Sequence, residues 1–67
     1  MKIYTATNTC YAMNHNVRAE DSPEWKVIRY MARVHQATKE QIMQNTGADA
    51  SVISRLAMKK PPVIVGG

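Results

Sequence analysis

Apolar side chains recur every three or four residues in three stretches of this chain, and this spacing predicts three amphipathic helices. In residues 23–35 the apolar positions form one broad face, and basic positions occupy the other. Two shorter stretches follow, one from Thr38 to a turn at Gly47 and one over residues 50–58. We expect the three apolar faces to close into a single core. The residues predicted to line it are Trp25, Ile28, Met31, Val34, Ile42, Met43, Ala48, Val52, Ile53 and Leu56.

Helix-start signals precede the first two of these stretches. Ser22 is placed to cap the first helix, with Pro23 at the first helical position and Glu24 near the positive end of the helix dipole. Thr38 and Gln41 form a capping-box pattern, T-x-x-Q, at the start of the second helix. Because each signal supplies acceptors for backbone N–H groups, the two starts are well defined by the sequence.

The turn between the second and third helices is predicted to be tight. Gly47 has no Cβ and therefore suits the left-handed conformation that ends many helices. The carboxylate of Asp49 is expected to accept backbone N–H groups at the start of the third helix. Two helices joined by so short a turn form a helix-turn-helix, a unit that often places its second helix in a DNA major groove.

The N-terminal part is predicted to be extended, because β-branched and aromatic residues are frequent there. We expect one strand near Lys2–Ala6 and a second near Tyr11–Met13, with turns at Asn8 and at residues 14–16. The tyrosines and the cysteine of this part are expected to pack on the domain or on a partner chain, rather than to stack on bases.

The C-terminal part completes a pattern that resembles a known family. Pro61 and Pro62 end the third helix because neither can donate a backbone hydrogen bond, and residues 63–65 have the composition of a strand. A helix, a short linker, the stretch ATKEQIMQNTGADASVISRLAMKK and a proline-broken strand together resemble a winged-helix domain. The likeness covers residues 23–65 and is to small phage, plasmid and bacterial transcription regulators, including those of fimbrial operons. It implies a mainly α fold with a small β element, built on a three-helix helix-turn-helix core.

The wing is the part in which this chain departs from that family. A full wing needs two strands after the third helix, and only one short strand fits before Gly67. Either the wing is truncated, or the N-terminal strand pairs with residues 63–65 and covers an edge that would otherwise be exposed. We therefore divide the chain into an extended N-terminal arm, residues 1–21, and a winged helix-turn-helix domain, residues 22–67.

The net charge agrees with a nucleic-acid surface without establishing one. The chain carries a formal net charge of +4 at pH 7. The charges of residues 1–21 cancel, whereas residues 22–47 and 48–67 each carry a surplus of +2. The surplus therefore lies on the helical part, where a nucleic acid would need it. An ordinary solvated basic surface would show the same numbers.

The resemblance implies that the third helix enters the major groove, so its outward residues become candidates for reading bases. Arginine pairs with guanine, serine can meet base edges, and a small apolar side chain can contact a thymine methyl group. The base-reading candidates are Ala50, Ser51, Ser54 and Arg55. The phosphate-binding candidates are Arg33, Lys39, Lys59 and Lys60. The alternative is that the serines are merely exposed and that Arg55 pairs with a carboxylate.

Other chemistries find little support in the sequence. The single cysteine, Cys10, excludes an intramolecular disulfide framework and fits a reducing cytoplasm. Cys10, His15 and His35 are too scattered for a zinc site, and no glycine-rich phosphate loop is present. No apolar run is long enough to span a bilayer, and the first residues do not resemble a secretory signal. We therefore expect no enzyme activity, no metal, no cofactor and no membrane association.

Two classes of function remain. The first is a cytoplasmic, sequence-specific DNA-binding transcriptional regulator, which we expect to act as a homodimer because one small module covers little DNA. The second is a phage- or plasmid-encoded winged helix that binds and inhibits a host regulatory protein through the same basic face. An accessory DNA-binding role in replication, excision or partition is a further alternative. Binding to double-stranded DNA that weakens steeply with salt would separate the first class from the second.

Overall fold

The computed structural model describes residues 2–15 and 22–66. In this part the chain forms helices and one small sheet. This architecture confirms the expected mainly α fold with a small β element. The three predicted helices are present as α2, α3 and α4. In chain order the described elements are β1 (Ile3–Ala6), α1 (Asn8–His15), α2 (Pro23–Val34), β2 (Gln36–Thr38), α3 (Lys39–Thr46), α4 (Ala50–Met58) and β3 (Ile64–Gly66).

Of the two alternatives left open for the wing, the sheet shows the pairing of the N-terminal strand with the C-terminal one. Its strand order is β2-β1-β3 with antiparallel pairs, so β1 is the central strand. Thr5 lies opposite Val65 on one side and opposite Gln36 on the other. Side chains alternate across a strand, so Tyr4 and Ala6 enter the core while Thr5 lies on the outer face. The N-terminal strand thus supplies what a second strand after α4 would otherwise provide.

Helix α1 includes both Asn8, where a turn was predicted, and Tyr11–Met13, where a strand was predicted. Both predictions are wrong. Cys10 lies at the centre of the helical face that packs on α2 and is completely buried. Its Sγ atom lies 3.5 Å from the carbonyl oxygen of Ile28. Strand propensity is a weak preference that depends on context, and burial of this face against α2 outweighs it.

The N-terminal segment packs on the helices, as expected of its tyrosines and cysteine. Tyr4 is buried, and Tyr11 is half-buried against the same core. Residues 16–21 lie outside the described residues. They include the end of the predicted arm, residues 1–21, and the last residue of the turn predicted at residues 14–16; the first two residues of that turn belong to α1, so the prediction is wrong for them.

The predicted linker after α2 contains strand β2 and is held by three contacts of His35. Its N–H donates to the carbonyl oxygen of Met31 at 2.8 Å, and its φ of 70° ends the helix. Its own carbonyl oxygen accepts the N–H of Ala6 at 2.9 Å. Its ring Nδ1 lies 2.7 Å from the hydroxyl oxygen of Tyr11. Because these contacts fix the chain beside β1, the next residues join the sheet, and Ala37 is buried there.

The predicted starts of α2 and α3 and the end of α3 are confirmed. The Oγ of Ser22 accepts the N–H of Trp25 at 3.4 Å. The Oγ1 of Thr38 accepts the N–H of Gln41 at 3.2 Å, and the Oε1 of Gln41 accepts the N–H of Thr38 at 3.1 Å, which completes the capping box. Gly47 ends α3 with a φ of 74°, in the left-handed region where a Cβ would be strained.

The turn between α3 and α4 is closed by Thr46 and not by Asp49. The carboxylate of Asp49 makes no capping hydrogen bond, so that prediction is wrong, although its carbonyl oxygen accepts N–H groups of α4. The buried hydroxyl of Thr46 donates to the carbonyl oxygen of Ile42 at 2.5 Å. The same hydroxyl oxygen accepts the N–H of Ala48 at 3.2 Å. Thr46 therefore binds the last turn of α3 to the chain that enters α4.

The core confirms the predicted meeting of three helical faces. Its completely buried side chains are Cys10, Val27, Ile28, Met31, Ile42, Ile53, Leu56, Val63 and Ile64. The predicted core residues that are less buried than expected are Trp25, Val34, Met43 and Val52. On α3 the inward pair is Ile42 and Thr46, four residues apart. Met43, one position after Ile42, points about 100° away from it and is 37% exposed.

Candidate nucleic-acid interface

The outward side of α4 carries four exposed side chains. Ile53 and Leu56 point into the core and are completely buried, which fixes the orientation of the helix. The exposed residues on the opposite side, called the α4 stripe below, are Ser51, Ser54, Arg55 and Met58. Met58 protrudes most, with 78% of its surface exposed. Ala50 is half-buried at the start of the helix and adds little to the stripe.

Two cations at the C-terminal end of α4 are held by one carboxylate. The Nη1 of Arg55 lies 2.9 Å from the Oε1 of Glu24, and the Nζ of Lys59 lies 3.9 Å from its Oε2. Glu24 stands in the first turn of α2. The alternative in which Arg55 pairs with a carboxylate therefore describes the free protein.

These ion pairs are exposed and weak. The side chains of Arg55 and Glu24 are 64% and 30% exposed. Pairs of this kind contribute about 0.2–1 kcal/mol and are screened by salt. The contact occupies one of the five N–H donors of the guanidinium group, so the others are open to a ligand. The pairing thus restrains Arg55 without withdrawing it from the surface.

The remaining phosphate-binding candidates fall into two groups. Lys59 and Lys60 follow α4 directly and are exposed, so they extend the α4 stripe. Lys39 is half-buried at the first position of α3, at the other end of the helix-turn-helix. Arg33 is different. It lies nine residues after Glu24 on α2, which is two and a half helical turns and thus the opposite side of that helix. Because Glu24 contacts α4, Arg33 points away from α4 and does not join its stripe.

The described residues hold no reactive cluster. Burial raises the pKa of the Cys10 thiol through desolvation, which keeps the sulfur protonated and a poor nucleophile. Across residues 2–15 and 22–66, His, Cys, Asp and Glu side chains form no group that could hold a metal ion, and no pocket opens. Within that same part of the chain, every helix is too short or too polar to cross a membrane.

Two residues that shape this surface were not among the predicted contacts. Glu24 is 31 residues from Arg55 in the chain, so no local pattern links them. The spacing of the sequence already predicts that Met58 points outward, because it follows Ser51 by seven residues and lies on the same side of the helix two turns later, but no contact was assigned to it.

Comparison with known proteins assigns no family to this chain. No family model, no curated protein and no solved structure matches it. The likeness to winged-helix regulators therefore stays a prediction, and the function has to be argued from the geometry of the surface.

Proposed function

We propose that this protein is a small sequence-specific DNA-binding regulator of transcription that inserts α4 into the major groove. The observation that carries the proposal is the exposed α4 stripe on a helix held by a capped α3 and a left-handed glycine. Helix-turn-helix proteins present their second helix in this way. An α-helix with its side chains is about 10–12 Å across, which fits the major groove of about 12 Å, and the nine residues of α4 give it a length of about 13.5 Å.

The α4 stripe offers the kinds of group that read base edges. The hydroxyls of Ser51 and Ser54 can donate to or accept from either strand, and the side chain of Met58 suits contact with a thymine methyl group. Arg55 can pair with guanine through two parallel N–H groups. Ala50, half-buried at the start of α4, contributes a methyl contact only where the groove wall comes close.

Glu24 has a specific part in this proposal. Its carboxylate restrains Arg55 and also repels nearby phosphates. A base that offers two acceptors to Arg55 compensates for that repulsion, whereas a mismatched base does not. Such an arrangement lowers the affinity for every duplex but lowers it most for mismatched ones. Repulsion of the wrong partner is a common basis of specificity. Lys39, Lys59 and Lys60 then supply the phosphate contacts that hold the protein in register.

We further propose that the regulator is a homodimer joined through the free edge of β3. The N–H of Ala6 donates towards β2, whereas the N–H of Thr7 donates to the carbonyl oxygen of Val63 at 3.1 Å. Backbone groups alternate along an antiparallel strand, so Thr5 and Val65 bond to each other. The backbone groups of Ile64 and Gly66 therefore face away from β1, and no other described strand covers them. Two copies of this uncharged edge can pair antiparallel about a two-fold axis.

The test compares the affinity of the protein for a duplex selected from a random pool with its affinity for an unselected duplex. Both affinities are measured by fluorescence anisotropy. Replacing both Ser51 and Ser54 by alanine should weaken binding to the selected duplex about tenfold and change binding to the other by less than about twofold. Gln36→Ala, on the outer sheet face, is the control and should change neither. Arg55→Ala should likewise weaken the selected duplex more than the unselected one.

Two outcomes would contradict the proposal. If Arg55→Ala and the double serine variant weaken both duplexes equally, the α4 stripe does not read bases. If the protein binds no duplex even at low salt, it is not a DNA-binding regulator.

A second function, binding to a host protein through the same helix, is favoured by one observation. Met58 is an exposed apolar residue on α4, and methionine is enriched in protein interfaces. Under this alternative, Met58→Ser abolishes capture of a host protein while Met58→Leu retains it. If the serine variant captures as much of the host protein as the unchanged protein does, Met58 on α4 does not contact that partner.

A further inference from the structure

We propose that the outer face of α2 binds the phosphate backbone of a second DNA duplex, so that the protein bridges two duplexes. This face, called the α2 stripe below, consists of Lys26, Arg29 and Arg33. The inference rests on the proposed function, because it requires that α4 holds the first duplex. It gives a role to Arg33, which the geometry separates from α4.

The α2 stripe is a single line of cations on the side of the helix that faces away from the core. Lys26, Arg29 and Arg33 follow one another in steps of three and four residues, and all three are exposed. The opposite side of α2 is completely buried and consists of Val27, Ile28 and Met31. Seven residues separate the first and last cation, which corresponds to about 10.5 Å along the helix axis. The three charges therefore form a short row on the surface.

The α2 stripe differs from α4 in that no carboxylate among the described residues pairs with its charges. None of its three side chains forms an ion pair with another residue within 2–15 and 22–66. On α4, by contrast, Glu24 binds both Arg55 and Lys59. The largest group of unpaired positive charge on the described surface is thus on α2. A field of this kind attracts polyanions from a distance.

The two surfaces are too far apart around the molecule to share one straight duplex. Glu24 marks the side of α2 that contacts α4, and Arg33 lies half a helical revolution from it. The two shorter dimensions of the molecule are 22 and 20 Å. A duplex seated on α4 therefore leaves the α2 stripe, which points away from α4, open to a separate duplex.

The chemistry of the stripe suits a phosphate backbone. Base pairs rise 3.4 Å along the duplex, so a row of about 10.5 Å spans about three steps. The large apolar residues that are exposed elsewhere are Ile3, Val34, Met43, Met58 and Val65, and none belongs to the stripe. A surface of cations without an apolar anchor gives binding by charge alone, which is the form of sequence-independent DNA binding.

Bridging is measured by capture of a labelled duplex of unselected sequence on beads that carry the selected duplex and bound protein. The test variant replaces Lys26, Arg29 and Arg33 together by glutamine. The control variant keeps the charge through Lys26→Arg, Arg29→Lys and Arg33→Lys. Because all three side chains are exposed, both variants should fold, which circular dichroism checks. Anisotropy with the selected duplex alone measures binding through α4, and pelleting with anionic lipid vesicles tests a different polyanion.

We expect the unchanged protein and the charge-preserving variant to capture the second duplex, and the glutamine variant to capture at least about tenfold less. Neutralising three phosphates gives a salt slope of about −2.7, so capture should fall about 40-fold between 50 and 200 mM salt. Binding of the selected duplex alone should change by less than about twofold in the glutamine variant.

Several results would overturn the inference. Capture that persists in the glutamine variant means that two α4 helices of a dimer hold the two duplexes. If the glutamine variant loses binding to the selected duplex alone as strongly as it loses capture of the second duplex, both surfaces contact one duplex. Absence of capture by the unchanged protein, or charge-dependent binding to vesicles alone, rejects bridging while site-specific DNA binding stands. Absence of all duplex binding rejects the proposed function itself.

Discussion

Replacement of Glu24 by glutamine separates the two roles that its carboxylate has in the proposed interface. The substitution keeps the size of the side chain and removes the charge that contacts Arg55 at 2.9 Å and Lys59 at 3.9 Å. In the free protein the change is small, because exposed ion pairs contribute about 0.2–1 kcal/mol. We expect the larger effect in DNA binding, since both cations become available to phosphates.

The size of that effect follows from the strength of the ion pair. DNA has to displace Glu24 before Arg55 and Lys59 can bind phosphate, and this displacement costs up to about 1 kcal/mol of binding free energy. Removal of the carboxylate removes that cost, so the affinity for DNA should rise up to about fivefold. One or two additional phosphate contacts should steepen the salt slope by about 0.9 to 1.8. An unselected duplex gains the whole of this advantage. We expect a selected duplex to gain less, because under the proposal it offers Arg55 a base with two acceptors, which already compensates for Glu24. Discrimination between the two duplexes should therefore fall severalfold.

The assay is fluorescence anisotropy with both duplexes over a salt series, and the matched control is Glu40→Gln. Glu40 is also a first-turn glutamate, on α3, so its substitution changes the net charge and the helix dipole equally. It forms no ion pair with Arg55 or Lys59. If Glu24→Gln and Glu40→Gln raise affinity and slope by the same amount, the effect is one of net charge. The proposed restraint of Arg55 by Glu24 would then be refuted.

Three further predictions concern stability and assembly. Thr38→Ala should lower the free energy of unfolding by about 1 kcal/mol, whereas Asp49→Ala, which loses no capping bond, should cost less than about 0.5 kcal/mol; urea denaturation compares them. Burial raises the pKa of Cys10 above its ordinary value of 9.0, so its stabilising effect is complete below pH 9 and is lost as pH rises further. Denaturation between pH 7 and 10 should therefore show a steeper loss than in Cys10→Ala, and equal slopes would contradict this. Val65→Lys, on the outer face of the edge strand β3, should convert the proposed dimer to a monomer in sedimentation experiments; a concentration-independent monomer mass for the unchanged protein would reject the dimer.

Local features of the sequence were sufficient for the parts of the fold that depend on neighbouring residues. The capping box at Thr38 and the left-handed Gly47 involve hydrogen bonds and backbone angles within a few residues, so they could be predicted. The boundaries of α4 follow from apolar spacing and were predicted correctly. Asp49 has the residue type of a cap but makes no capping bond, and the side chain that holds this turn is the buried hydroxyl of Thr46.

Predictions failed where distant packing decides the outcome. Helix α1 forms because Cys10 finds a complete burial site on α2, which its own neighbours in the chain do not reveal. The linker after α2 joins the sheet because His35 binds both β1 and α1. In each case the deciding partner is more than fifteen residues away.

The candidate interface shows the same division. Helical periodicity alone placed Ser51, Ser54 and Arg55 on the exposed side of α4, since burial of Ile53 and Leu56 fixes the rest of the helix. Only the tertiary structure joined Glu24 to Arg55 and showed that Arg33 lies on the side of α2 that points away from α4. Periodicity determines which face of a helix is outward, because it depends on 3.6 residues per turn. Which outward faces of different helices lie together depends on how the helices pack, and that is decided by contacts between residues far apart in the chain.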